Sequence, residues 1–171
     1  DRLAQFNPRG TDVAVVLDLM IHDLEILLAL VGTEVVQVDA IGVPVFSKFE
    51  DIANARIRFA NGCVANVTAS RVSMEKMRKI RIFASDAYVS TDYSAQEVII
   101  YRKKAGELSS DITPMEMIDI EPLDVHKEEP LKRELESFVA CVRERKLPLV
   151  SGEDALAALR LAQRVMDAIR G

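Results

Sequence analysis

The feature that most limits this chain is a change of hydrophobic period at Val35. Before it, Thr11 to Gly32 (TDVAVVLDLMIHDLEILLALVG) is apolar almost all round at helical spacing, the mark of a helix buried on most sides. After it come short β-branched runs with period 2, as in strands, and helical spacing does not return until Leu131. Strands grouped together, with helices before and after, exclude a chain of βαβ units and predict an α+β fold.

Thr11 reads as the N-cap of the first helix, Asp12 suits its positive end, and Gly32 suits its C-terminal cap. The first strand is EVVQVDAIGVPVF, with Gly42 and Pro44 marking a bulge or edge. Asn61-Gly62 between two alternating runs predicts a two-residue type I′ hairpin. Closing it pairs Ala60 with Cys63, Phe59 with Val64 and Ile57 with Asn66. That register puts Ala55, Ile57 and Phe59 on one face with Asn66, Thr68 and Ser70, and leaves both faces mixed. Mixed faces imply cover on both sides, by helices and by a second subunit or domain. Further strands are expected at 79–84, 87–92, 97–102 and 115–125, with a polar break at 103–111. Leu131, Leu135, Phe138 and Val142 mark a helix. Ser151 and Asp154 make a capping-box start for a last one, with Ala155, Leu156, Leu159, Ala162, Val165, Met166 and Ile169 as its apolar face. The expected architecture is one domain over 1–171, an open, mostly antiparallel sheet of about six strands packed on helices.

The 171 residues suffice for one domain with its own core. A net charge of −5 argues against nucleic acid as the main partner. No apolar run reaches the roughly 20 residues of a membrane span. The chain opens on Asp1-Arg2-Leu3, without a basic and then apolar leader, so it reads as a cytoplasmic fragment lacking an N-terminal part. Cys63 and Cys141 form no C-x-x-C pair and read as buried, reduced thiols. No two of the seven glycines lie closer than Gly32 and Gly42, so neither a dinucleotide-binding G-x-G-x-x-G nor a Walker loop can be written.

Asp18, His22 and Glu25 share one face of the first helix. A carboxylate one turn from an imidazole can fix its tautomer and leave the other nitrogen free for general acid/base work, with Glu25 extending the network. The competing reading is a satisfied core histidine. No second ligand cluster supports a metal site, since His126 lies in the polar stretch VHKEEP. Asn66 and Thr68 could line a polyol pocket, and Arg71 could meet a phosphate or carboxylate with its fork. Each could equally be surface.

The ordered set of DLMIHDLE at 18–25, the Asn-Gly hairpin, the EEPLKRELESFV helix and the PLVSGEDALAALRLA ending resembles the Gfo/Idh/MocA oxidoreductases across essentially the whole chain. The resemblance implies the C-terminal α+β domain, with NAD or NADP held mainly by an N-terminal Rossmann domain that has no match here. It implies Asp18 and His22 as the catalytic pair of this domain, and a sheet face that makes homo-oligomer contacts. VVLDLMIHDLEILLALVG and ANGCVANVTASRVS look most like the branch that oxidises UDP-N-acetylglucosamine at C3. The expectation is the substrate-binding half of a dehydrogenase that turns a ring hydroxyl of a sugar or UDP-sugar into a ketone. The alternative is a non-catalytic, sheet-mediated dimerisation domain in which His22 is buried.

Overall fold

The computed structural model describes residues 1–8, 10–104 and 115–171. These form two compact units, residues 1–76 with 133–171, and residues 77–132. Eight strands are present among the described residues, against about six expected, and the fold is α+β.

In the first unit, β2 (Val35–Val43), β3 (Ile52–Phe59) and β4 (Val64–Ser70) run antiparallel, and the short β1 (Arg2–Leu3) adds in parallel beside β4. The β3–β4 register differs from the expected one by one residue. Arg58 lies opposite Val64, Ile57 opposite Ala65 and Ala55 opposite Val67. Three residues, Ala60 to Gly62, make the loop. Phe59 N–H donates to the Cys63 carbonyl at 2.9 Å, and Gly62 takes a left-handed φ of 87°. Ala60 cannot pair with Cys63, because its N–H donates to Glu34 at 2.9 Å.

A slip of one residue exchanges the faces of a strand. In the true register Ala53, Ala55, Ile57 and Phe59 share a face with Ala65, Val67 and Ala69, and that face is apolar and mostly buried. Asn54, Arg56 and Arg58 share the other with Asn66 and Thr68, and the strand alternates buried and exposed. The expected register put Asn66, Thr68 and Ser70 beside Ile57 and Phe59; in the true one only the outer face is mixed, with exposed Val64 opposite Arg58 and exposed Ile41 opposite Asn54.

The apolar face packs on the first helix and the last. The first begins later than expected. Val16–Met20 winds as a wide π-turn, with Ile21 N–H donating to the Val16 carbonyl, and continues as α1 (Ile21–Val31). Thr11 does not cap it, since its hydroxyl donates to the Pro8 carbonyl at 3.0 Å. Gly32 does close it, at φ 64° with its N–H on the Leu28 carbonyl. The last helix, α3 (Gly152–Arg170), carries the expected capping box between Ser151 and Asp154. Its buried face is Ala158, Leu161, Ala162, Val165 and Met166, whereas Ala155, Leu156 and Leu159 are exposed. The core joins Val15, Val16, Met20 and Leu24 to Ile57, Phe59 and Val165. Burying each of the larger side chains is worth about 2 kcal/mol.

The helix α2 (Pro130–Glu144) forms where expected, but Leu131, Leu135, Phe138 and Val142 are all exposed and it buries none of its residues. Both cysteines are free, Cys63 exposed on the hairpin and Cys141 partly so on α2, which corrects the expectation of buried thiols.

The second unit is an antiparallel meander of β5 (Met77–Phe83), β6 (Ala87–Asp92), β7 (Glu97–Lys103) and β8 (Ile118–Leu123). Phe83, Tyr88 and Tyr101 lie opposite one another and stack across three strands at 4.8 and 5.2 Å. From residue 105 on, the expected polar break lies outside the described residues.

Candidate active site

The acid/base stripe sits where the π-turn passes into α1. Asp18 lies within the turn and is partly exposed, His22 follows in the first turn of α1 and is exposed, and Glu25 is half-buried. A wide turn costs backbone regularity, and such turns occur often at functional sites. The imidazole is therefore not the enclosed core histidine of the competing reading. Among the described residues Asp18 and His22 form no hydrogen bond with each other. In ligand-free enzymes such contacts are commonly long and close only around substrate.

Asp18 instead faces a buried knot. Asp51, fully buried at the start of β3, accepts three backbone N–H groups of its own loop on Oδ2, from Val45 at 2.8 Å, Phe46 at 2.7 Å and Ser47 at 2.9 Å. Its Oδ1 accepts Arg71 Nε at 2.7 Å and the Ser47 hydroxyl at 2.8 Å. Burial pushes this carboxyl up, but the N–H groups of Ser47 and Val45, the Arg71 guanidinium and the Phe46 N–H outweigh burial and hold it well below the usual carboxylate range. The loop also fixes the start of the first helix, as Val15 N–H donates to the Glu50 carbonyl at 2.8 Å.

Arg71 follows β4 and is turned inward, 3% exposed. Besides Asp51 it donates from Nη1 to the carbonyls of Gly10 and Val13, both at 2.8 Å, and from Nη2 to Ser47 Oγ at 2.9 Å. Four hydrogen bonds use most of the five N–H groups of a guanidinium. The expectation that Arg71 meets a ligand anion from the surface is corrected accordingly. Its Nη1 stands 3.8 Å from Asp18 Oδ2.

Asn66 and Thr68 are not brought to this site. They lie on the outer face of the sheet, away from the packed helices, where Asn66 accepts from Arg56 at 3.2 Å and Thr68 donates to Asn54 at 2.9 Å. The residues that sequence reasoning missed are Gly10, Ser47 and Asp51. An acid at the head of an apolar strand was the available signal for Asp51.

Among the described residues the glycines at positive φ are Gly10, Gly32, Gly62 and Gly171, which stand at isolated turns and ends and build no cradle for a dinucleotide. The N-terminus of α3, the natural place for a phosphate, already holds the Asp154 carboxylate. Among the described residues no three His, Cys, Asp or Glu side chains stand together as metal ligands, and no helix is long and apolar enough to cross a membrane.

Residues 6–171 match the family model described as the oxidoreductase family, C-terminal alpha/beta domain. The UDP-N-acetylglucosamine 3-dehydrogenase of Acidithiobacillus ferrooxidans is 36% identical over 169 residues, covering 99% of this chain and 53% of that protein. A solved structure of the enzyme of that name from the same organism superposes with a TM-score of 0.86 at 37% identity, over 98% of this chain and 52% of that one. A levoglucosan dehydrogenase in complex with NADH and levoglucosan shares the fold, with a TM-score of 0.79 at 15% identity over 99% of this chain and 55% of that one. The chain spans about half the length of these relatives. It belongs to the Gfo/Idh/MocA oxidoreductase family, whose C-terminal alpha/beta domain it is.

Proposed function

We propose that this chain is the substrate-side half of a nicotinamide-dependent dehydrogenase that oxidises a ring hydroxyl of a sugar, with C3 of UDP-N-acetylglucosamine as the leading candidate. The observation that carries the reading is the exposed imidazole of His22, one turn beyond the partly exposed Asp18 on a helix that packs Met20 and Leu24 into the core. The 36% identity to a UDP-N-acetylglucosamine 3-dehydrogenase favours that substrate over other sugars.

In this reading His22 takes the hydroxyl proton as the ring carbon is oxidised and returns it in the reverse direction. Asp18 orients the imidazole and balances the charge that the proton brings. Glu25 stands one turn further along the same face as a contact for a substrate hydroxyl. NAD or NADP belongs to another part of the polypeptide, because this chain lacks the glycine turn that a pyrophosphate needs.

The test is His22→Ala in the whole polypeptide, assayed with NAD or NADP and UDP-N-acetylglucosamine. Loss of one acid/base group predicts a fall in kcat of about 10²- to 10⁴-fold with the melting temperature unchanged. Turnover within a few-fold of wild type overturns the assignment. A thermal-shift series with the dinucleotides, UDP-sugars and free polyols then separates nucleotide sugar from simple sugar.

A further inference from the structure

We propose that Arg71 is a positioning residue for Asp18, holding the carboxylate beside its own guanidinium and the Gly10 backbone; this rests on the reading of Asp18 and His22 as the acid/base pair. One nitrogen does both parts of the task. Arg71 Nη1 clamps the carbonyls of Gly10 and Val13, each at 2.8 Å, and the same Nη1 faces Asp18 Oδ2 at 3.8 Å. Gly10 also borders the carboxylate. A Cβ built there, at φ +78°, would stand 3.4 Å from Asp18 Oδ1 and 3.5 Å from Oδ2. A side chain at position 10 would press on the carboxylate and strain the backbone together.

The guanidinium itself is held on the far side. Nε is bound to the fully buried Asp51 at 2.7 Å and Nη2 to Ser47 at 2.9 Å, so it cannot follow Asp18 if the carboxylate moves. Asp51 and Asp18 flank one cation, and Asp51, fully desolvated, holds it the more firmly. Asp18, with its side chain 34% exposed, keeps part of its carboxylate open. Lysine cannot copy this. It offers a point charge without a planar fork, so it cannot satisfy Asp51, Ser47 and two carbonyls in one geometry.

A role confined to holding the fold would give a different response, and a double-mutant cycle separates the two. The variants are Arg71→Lys, Asp18→Asn and the pair, in the whole polypeptide, with UDP-N-acetylglucosamine and NAD as the assay pair. A misplaced carboxylate predicts that Arg71→Lys lowers kcat about 10- to 100-fold while KM stays within about threefold. In the Asp18→Asn background the same change should cost less than about twofold more. Full additivity of the two changes, or a loss that falls on KM alone, overturns the positioning role and leaves the acid/base reading standing. Asp18→Asn with wild-type kcat overturns the acid/base reading itself. Should Arg71→Lys lack a cooperative melt, Ser47→Ala, which frees Nη2 of the fork and takes one hydrogen bond from Asp51 while leaving the Arg71–Asp51 pair in place, carries the same cycle. It is expected to lower kcat about two- to fivefold with the effect absent beside Asp18→Asn, and additivity there also overturns the inference.

Discussion

Arg2 grips Asp23 by a single carboxylate oxygen. Nε at 3.1 Å and Nη2 at 2.7 Å both donate to Oδ1, while Oδ2 is buried without a hydrogen-bond partner among the described residues. The pair joins the two-residue β1 to α1, beside the exposed His22. Removing one partner strands the other charge in a dry place. Arg2→Ala should therefore cost about 3 kcal/mol, whereas replacing both by apolar residues of similar volume (Arg2→Met with Asp23→Leu) should cost far less. Urea melts of the two variants check this, and equal losses for the single and the double variant would contradict it.

The Gly62 backbone tests the three-residue hairpin. Its φ is 87°, and no atom stands within 4 Å of a Cβ built there. A side chain would meet no clash, so any cost is conformational. Gly62→Ala should lower stability by about 1 kcal/mol and Gly62→Asn by less, since asparagine tolerates the left-handed region. Thermal melts of the two variants rank them, and an alanine variant as stable as wild type would speak against this turn.

Acid should unfold this protein through its paired carboxylates. Asp51 is held low as described above. Asp92 is held low by the Ala95 N–H and then by Lys79, and Asp154 by the Ser151 hydroxyl and N–H. In each case the folded value lies below the unfolded one. The stabilisation is thus complete above the unfolded aspartate value near 4 and is lost as the pH falls below it, towards the folded values. The urea midpoint should stay level from about pH 7 to 5 and drop below about pH 4. A midpoint that holds or rises between about pH 5 and 3 would refute the pairing.

What the sequence made legible was local. The Gly32 cap, the Ser151–Asp154 box and the strands of the meander all follow from neighbours within a few positions. The hairpin loop did not, because Asn-Gly suits two-residue and three-residue turns alike. The three-residue form goes with a partner far off in sequence, Glu34, whose carbonyl takes the Ala60 N–H. The same register buries Val67 and Ala69 with Ile57 and Phe59, and so turns Asn66 and Thr68 outward, away from the candidate site. Arg71 was legible as a charged residue after a strand, but its burial depends on Asp51, twenty positions earlier, and on two carbonyls some sixty positions earlier. Asp18 and His22 were legible because helical spacing alone sets them one turn apart.

The wide turn at Val16–Met20 has a consequence for phase. Each helical residue advances the chain by about 100°, so one residue more or less in that turn rotates everything before it against everything after it. Gly10 and the start of the helix belong to one side of this joint, and His22 to the other. Deleting Leu19 alone would leave every polar group of the site in the chain. It would still swing the Asp18 carboxylate and the His22 imidazole to different bearings around the helix axis.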